Sequence, residues 1–468
     1  MARPIDEIAD MTEVTEGRAR LTAGQALWLY HHASLHDLGE WATAMANRLH
    51  GDKVRTYIID RNINYTNICS ARCTFCAFRR DGDEADAYTL GRDELHAKVR
   101  QLVDIGGTQI LLQGGMNPAL PIEFYEDMLR GLKGEFPGVH LHAFSPPEFV
   151  EFVATLKIDD YPVTEPRHSA DLPRDVWCAK LEAVMRRLQA AGLDSIPGGG
   201  AEILVEHVRR RIGSTKANCH QWLDVMRTAH RLGMFTSATM MFGHIEGVAD
   251  RIMHMRMIRD AQDEAWQHNW PGRCMAFIAW PFQPEHTPLG RLPRGDIDKR
   301  YPTPFSEKRC RIPFPGDELA ELVLRGEVDP FDKAACVKAV PQAGKSLRLA
   351  GATDYLRTQA IARLFLDNVH SIGSSWVTMG PHIGQIALTF GANDLGSVMM
   401  EENVVSAAGT THRLNEAMIC RLIRQAGYVP AQRDNVYRFL KVHEDTGPDR
   451  AVTDWSAHRP DDHSAFVL

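Results

Sequence analysis

Short apolar runs alternate with helix-length amphipathic segments along most of this chain, and that alternation restricts the fold more than any other feature. The runs are Tyr57–Ile59, Gln109–Leu112, Val139–Phe144, Ile203–Val205, Phe235–Phe242 and Met275–Trp280. Between most of them lie segments of helical periodicity: Asp93–Ile105, Ile122–Phe136, Cys178–Ala191 and Trp222–Leu232. Several end beside a glycine (Gly106, Gly192, Gly233) that can take the left-handed cap. Strands alternating with helices of this length imply βαβ units and a parallel sheet. Two more candidate strands, near Ser375–Thr378 and Ser397–Met400, bring the count to about eight, which fits a (β/α)8 barrel. A doubly wound sheet is the alternative, because periodicity alone does not close a barrel.

Around this core, residues 1–53 read as an N-terminal helical segment. Thr22 with Gln25 makes a capping box ahead of Leu27, Leu29 and Tyr30; Asp37 with Glu40 repeats it before Trp41, and Gly51 offers a C-cap. Residues 54–292 form the barrel core and 350–445 complete it. Two polar stretches interrupt the rhythm at 157–176 and 293–349. They read as surface-loop insertions, and the second also as a possible lid. Residues 446–468 read as a loosely ordered tail.

At 468 residues, 44% hydrophobic and 24% charged, the chain has the make-up of a globular protein. A net charge of −7 offers no basic excess for nucleic acid. No apolar run approaches the roughly 18 residues of a membrane span. The acidic N-terminus resembles neither a signal nor a transit peptide, so the expected location is the cytoplasm. Of nine cysteines, six are scattered and read as reduced.

The other three form the segment NYTNICSARCTFCAFRR, with Cys69, Cys73 and Cys76 spaced C-x3-C-x2-C. Three soft thiolates this close converge on one metal object. Structural zinc and electron-transfer clusters ordinarily take four protein ligands, and the next downstream histidine is His96. A four-iron cluster on three cysteines leaves one iron open to a small molecule. With Phe75 before the last cysteine, the motif resembles that of the radical S-adenosylmethionine (SAM) superfamily. The resemblance implies a [4Fe-4S] cluster whose open iron binds SAM, within a barrel of the radical SAM type. The stretches GGTQILLQGGMNPALPIEFYED, HLHAFSPPE, AGLDSIPGGGAEIL, ATMMFGHIE, WPFQPEHTPLG and FGANDLGSVMMEENVVSAAG extend it to the cyclic dehypoxanthine futalosine synthase family, with aminofutalosine synthase and the FO synthase halves as near relatives. That implies an oxidoreductase of menaquinone biosynthesis. Its substrate would be dehypoxanthine futalosine and its electron donor a flavodoxin or ferredoxin.

The resemblance also suggests site residues. Phe75, Gln113, Gly114, Gly115, Ser145, Glu202, Gly243 and Glu246 would line the SAM site, although Met116 stands where the superfamily's glycine motif usually has an acid. Some have a plainer reading: a βα turn for 113–115, a solvated or ion-paired acid for Glu202. His140 and His142 alternate on one strand and share a face, toward the lumen or the helices. A base is needed for the substrate's ring proton, and His142, His244 and Glu402 are the candidates. Arg61 and Arg79 are candidates to meet its benzoate, or are scaffold arginines. Gln283 and His286 follow a strand at the barrel mouth. Asn393, Asp394, Glu401 and Asn403 crowd polar groups into an apolar stretch, where capping is the plainer role. The Met pairs 240–241 and 399–400 read as core packing.

Overall fold

The computed structural model describes residues 10–295 and 314–444, apart from 156, 158–160 and 162. The strands are β1 (Val54–Ile58), β2 (Asp60–Asn64), β3 (Gln109–Gln113), β4 (His140–Ala143), β5 (Ser195–Ile196), β6 (Phe235–Phe242), β7 (Cys274–Pro281), β8 (Ser371–Gly373), β9 (Asp394–Ser397), β10 (Val429–Arg433) and β11 (Phe439–Val442). Consecutive strands from β2 to β9 pair in parallel, and β9 pairs in parallel with β1.

β1 and β2 are one strand interrupted only at Ile59, and this strand closes the ring. The Ile58 carbonyl accepts from Val398 N–H, beyond β9, while the next carbonyl, of Ile59, accepts from Thr108 N–H, beside β3. Successive carbonyls of a strand point to opposite sides, so β9 lies on one side of this strand and β3 on the other. The result is an eight-membered parallel barrel. β10 pairs with the start of β1 on the β3 side, where Lys53 O accepts from Val429 N–H, and antiparallel β11 follows it as an edge.

Alternation along the strands shows that the lumen is not filled. Leu111 and Gln113 on β3, Ser237 and Thr239 on β6, and Ile278 and Trp280 on β7 are half-buried, while their outward neighbours are buried. Barrel interiors are usually packed solid; this one keeps open space, walled by polar groups such as Asn62, Asn64 and His142.

Three strand expectations are corrected. Ile203–Val205 is buried but not a strand; β5 is the two residues Ser195–Ile196. The chain leaves β5 through Gly198–Gly200 so close to β6 that a Cβ on Gly198 would lie 2.5 Å from the Ala238 Cα. Residues 375–378 belong to a cap and short helix (Trp376–Met379), with the strand at Ser371–Gly373. The last barrel strand is Asp394–Ser397, upstream of Ser397–Met400. In each case the chain is too short-stranded for its burial to register as a period.

The Thr22–Gln25 capping box is present. The next helix, Leu35–His50, is capped by Ser34 rather than Asp37. Within 157–176, residues 166–171 form a 3-10 turn and a helix begins at Arg174. Within 293–349, helices Pro315–Leu324 and Lys333–Ala339 enclose a small core of Leu319, Val323, Cys336, Val340 and Ala343. The tail at 446–468 lies outside the described residues.

The polar stretch from Asn393 to Asn403 is largely scaffold. Asn393 accepts from Arg363 at 2.6 Å and Ile372 N–H at 2.9 Å. Asp394 receives Arg433 bidentately at 2.6 and 2.9 Å and Thr56 Oγ1 at 2.6 Å, tying β9, β1 and β10 together. Asp394→Ala would leave the buried Arg433 without its carboxylate and is expected to cost about 3–5 kcal/mol. A urea or thermal unfolding curve checks this.

Candidate active site

The cysteine loop leaves β2 and is pinned from several sides. Cys69 N–H donates to Arg80 O (3.1 Å), Ser70 N–H to Met116 O (2.7 Å) and Thr74 N–H to Ile212 O (2.8 Å), while Thr74 O accepts from Leu289 N–H (2.7 Å). Cys69, Cys73 and Cys76 are free and half-buried. Burial pushes the Cys73 thiol up to about 12 and the Cys69 thiol to about 11, which metal ligation would reverse by displacing the protons.

The surroundings fit a cluster. Met116 N–H donates to Cys69 Sγ at 3.3 Å, the kind of contact that tunes cluster sulfurs. A Cβ on Gly213 would sit 3.2 Å from Cys73 Sγ, and one on Gly115 would sit 2.1 Å from Ile68 O. The buried Lys216 ammonium lies 4.8 Å from the Phe75 ring centroid and pairs with Glu202. Burial lowers its pKa to about 8, against the opposing pull of the three thiols.

Beside this loop the barrel collects Gln113, Gly114, Gly115, Ser145 and Glu202. A Cβ on Gly199 would lie 2.5 Å from Gln113 Nε2 and 3.1 Å from Ser145 Cβ, and one on Gly114 would lie 2.4 Å from the Tyr65 ring. Phe144 (φ 60°) and Glu202 (φ 35°) take left-handed backbone here, strain that clusters at functional sites.

Sequence reasoning missed the residue that fixes this wall. The buried Glu148 accepts from Ser145 N–H (2.6 Å), Ser145 Oγ (2.7 Å), Gly114 N–H (3.0 Å) and Tyr65 Oη (2.6 Å). Its signal was legible: Ser145-Pro-Pro-Glu148 is a capping-box pattern. Lys216 had no comparable signal; it lies far along the chain from the cysteines.

Other candidates fall elsewhere. His142 faces the lumen, with Nδ1 2.6 Å from Ser195 Oγ and Nε2 3.4 Å from Ser237 Oγ; burial lowers its pKa to about 3. His244 is corrected as a base. It is 0% exposed, with Nδ1 3.1 Å from Glu246 and Nε2 3.2 Å from Met241 O, so both ring nitrogens are already engaged. Glu246 accepts from Gly243 N–H (2.7 Å), His244 N–H (2.9 Å) and Arg251 Nε (2.9 Å). Gly243 (φ 82°) lets Ala350 pass close by.

Glu402 caps Val404 and Val405 N–H at 2.6 and 2.9 Å and accepts from Asn62 at 3.1 Å. Arg61 is corrected as a benzoate partner: it is buried and paired with Glu401 at 2.6 Å, which Lys98 joins at 3.2 Å. Arg79 binds the Cys69 carbonyl at 3.2 Å and pairs with Asp81, serving the cysteine loop. Asn403 donates to Asn64 at 3.2 Å. Gln283 donates to its neighbour Pro281 O at 3.0 Å, and His286 is exposed. Met240, Met241 and Met400 are buried in the core.

A barrel with a three-cysteine loop at one mouth and an open polar lumen defines a radical SAM protein. Residues 63–258 match the radical SAM superfamily and 337–446 match the CofH/MqnC C-terminal region. The chain is 37% identical over 427 residues to cyclic dehypoxanthine futalosine synthase of Halalkalibacterium halodurans, covering 91% of this chain and 93% of that one. It is 36% identical over 449 residues to the Streptomyces coelicolor protein of the same name, covering 95% and 92%. Aminodeoxyfutalosine synthase of Thermus thermophilus is 34% identical over 92% of this chain and 95% of its own. Among solved structures, methylornithine synthase superposes with a TM-score of 0.57 at 16% identity, covering 90% of this chain and 97% of that one. The chain belongs to the radical SAM family that includes the cyclic dehypoxanthine futalosine synthases. It is an enzyme that uses a [4Fe-4S] cluster and SAM, acting on a small molecule. Among the described residues no helix is long and apolar enough to cross a membrane.

Two outcomes follow. Gly115→Ala is expected to abolish cluster reconstitution, read as iron and sulfide content, because its Cβ collides with backbone. Glu151, buried one turn beyond Glu148, has its carboxyl raised by burial from 4.5 to about 7. The folded metal-free protein therefore binds the extra proton between these values, and stability falls as pH rises through that window, by up to about 3 kcal/mol. Glu151→Gln should lessen the slope in a pH series of unfolding curves, leaving the share of Glu148 and Asp354, which burial also raises to about 7.

Proposed function

We propose that this enzyme cyclises dehypoxanthine futalosine to cyclic dehypoxanthine futalosine, a step of menaquinone biosynthesis. The carrying observation is the 36–37% identity to two proteins of that name over more than nine-tenths of the chain. When bound by Cys69, Cys73 and Cys76 and the wall beside them, the cluster and SAM would supply the one-electron chemistry that takes a hydrogen atom from the substrate's ribose 4′ carbon. The substrate radical would then add to its own aromatic ring, and aromaticity would return as the ring loses a proton to a base and an electron to the oxidised form of the electron carrier.

The chain's residues divide these tasks. Cys69, Cys73 and Cys76 would hold the cluster, with Phe75 and the Lys216 charge beside the thiols. Gln113, Gly114, Gly115, Ser145 and Glu202 form the wall that holds SAM, and Glu148 keeps that wall rigid. Gly243 and Glu246 act on the cofactor only through the turn they shape. The closed ring of strands keeps bulk water from the reacting carbon. His142 accepts the ring proton. A weak base suffices, because the proton leaves a ring that regains aromaticity. Glu402 is a less favoured base, since both its oxygens are engaged. A reduced flavodoxin or ferredoxin supplies electrons, and the location is the cytoplasm.

Anaerobic reconstitution with SAM, a strong reductant and dehypoxanthine futalosine tests the reading. 5′-Deoxyadenosine together with a product two hydrogens lighter than substrate supports it. Deoxyadenosine with unchanged substrate points to a sister reaction such as aminofutalosine synthesis. No deoxyadenosine from a protein of verified cluster content overturns it. Replacing Cys69, Cys73 and Cys76 by Ala is expected to remove both cluster and activity.

A further inference from the structure

The lumen has a second end. His142 Nδ1 is 2.6 Å from Ser195 Oγ, and the same oxygen is 2.7 Å from His140 Nε2. The register explains the meeting: Ser195 on β5 is paired with His142 on β4, and His140 lies two residues nearer the barrel floor on the same face. Ser195 is 0% exposed. At the upper end, His142 Nε2 points toward Ser237, which is half-buried along the lumen. At the lower end His140 is half-buried, near Lys133 and Asp194, whose side chains are 26% and 31% exposed. A continuous polar path thus runs from the reaction chamber to solvent at the floor, away from the mouth that holds the cysteines.

We propose that His142, Ser195 and His140 form a proton wire that carries the substrate's ring proton out through the barrel floor. This rests on the proposed cyclisation, which releases a proton into a chamber whose mouth the cofactor and substrate fill. In the resting state His142 Nδ1–H donates to Ser195 Oγ, and Ser195 O–H donates to His140 Nε2. The ring C–H bond breaks and its proton joins His142 Nε2. The Nδ1 proton moves to Ser195 Oγ, whose own proton moves to His140 Nε2, and His140 releases its Nδ1 proton to water. One proton enters and one leaves, and no redox change occurs in the wire; once product departs, the relay resets in reverse, His140 Nδ1 taking a proton from water at the floor and His142 Nε2 giving its proton to water in the emptied chamber. The charged groups facing it suit this direction. The charge of Arg433, itself paired with Asp394, disfavours a cation at His142, while those of Asp194 and Asp434, offset by Lys133, favour one nearer His140.

Ser195 is the residue to change, since Ser195→Ala cuts the wire and leaves both imidazoles. The first measurement is nitrogen NMR of histidine-labelled resting protein, with His140→Gln and His142→Gln to assign signals. Both rings should be Nδ1–H tautomers that change together in Ser195→Ala; a variant that alters neither or only one overturns the wire. This arm decides the matter even if the wild type makes no cyclic product, which would sink the cyclase reading alone. The second measurement is turnover. Ser195→Ala should lower cyclic product about tenfold to a hundredfold while 5′-deoxyadenosine still forms, so that the ratio of deoxyadenosine to product rises. Ser195→Thr, which keeps the hydroxyl, should restore the ratio. Equal loss of both products in Ser195→Ala, or no rescue by a folded Ser195→Thr, overturns it.

Discussion

The structure depends on a single strand serving three neighbours. Residues 54–64 offer one edge to β9 and the other first to β10 and then to β3. Were this strand to end at Ile58, the parallel sheet would stay open and its lumen would become a solvent-exposed face. Closure turns that face into a chamber, where a radical can be kept from water and aimed at one bond. The polar side chains within, Asn62, Asn64, Gln113 and His142 among them, are useful because the ring around them excludes solvent.

Much of the buried charge secures this arrangement. Asp394 with Arg433 joins the strands on either side of the closing strand, and Glu401 with Arg61 and Lys98 joins β2 to the neighbouring helix. Two further carboxylates do the same job at strand ends. Glu148 follows β4 and takes the Ser145 N–H; Glu246 follows β6 and takes those of Gly243 and His244. In both turns a carboxylate folds back over backbone donors that would otherwise be orphaned in a buried place. Acids that look reactive in a sequence are in these places holding a loop still, so that neighbouring backbone can meet a ligand.

The parts of the fold legible in the sequence were those with enough residues to display a period. β3, β6 and β7, and the helices between them, stand close to their expected positions. β5 has two residues and β8 three, too few for any pattern, and their neighbours' burial misplaced both. β10 and β11 carried no expectation, because a short strand without alternation such as Val429–Arg433 is made a strand by the sheet it joins. In the site, Cys69, Cys73 and Cys76 were legible because three thiols in eight residues have few other uses. Glu148 was legible in retrospect as a capping acid. Lys216 was not, since nothing near it in sequence says that its ammonium sits over Phe75.

Local chemistry alone therefore determined that this chain binds a cluster with an open iron and folds as alternating strands and helices. Those properties follow from spacing within a few residues or a few turns. Which polar residues face the chamber, and which are consumed in ion pairs, was decided only by tertiary structure. His142 and His244 look alike in sequence; one points into the lumen and the other is sealed against Glu246. The difference is a matter of strand register and ring closure, and both are set by hydrogen bonds between residues more than fifty positions apart.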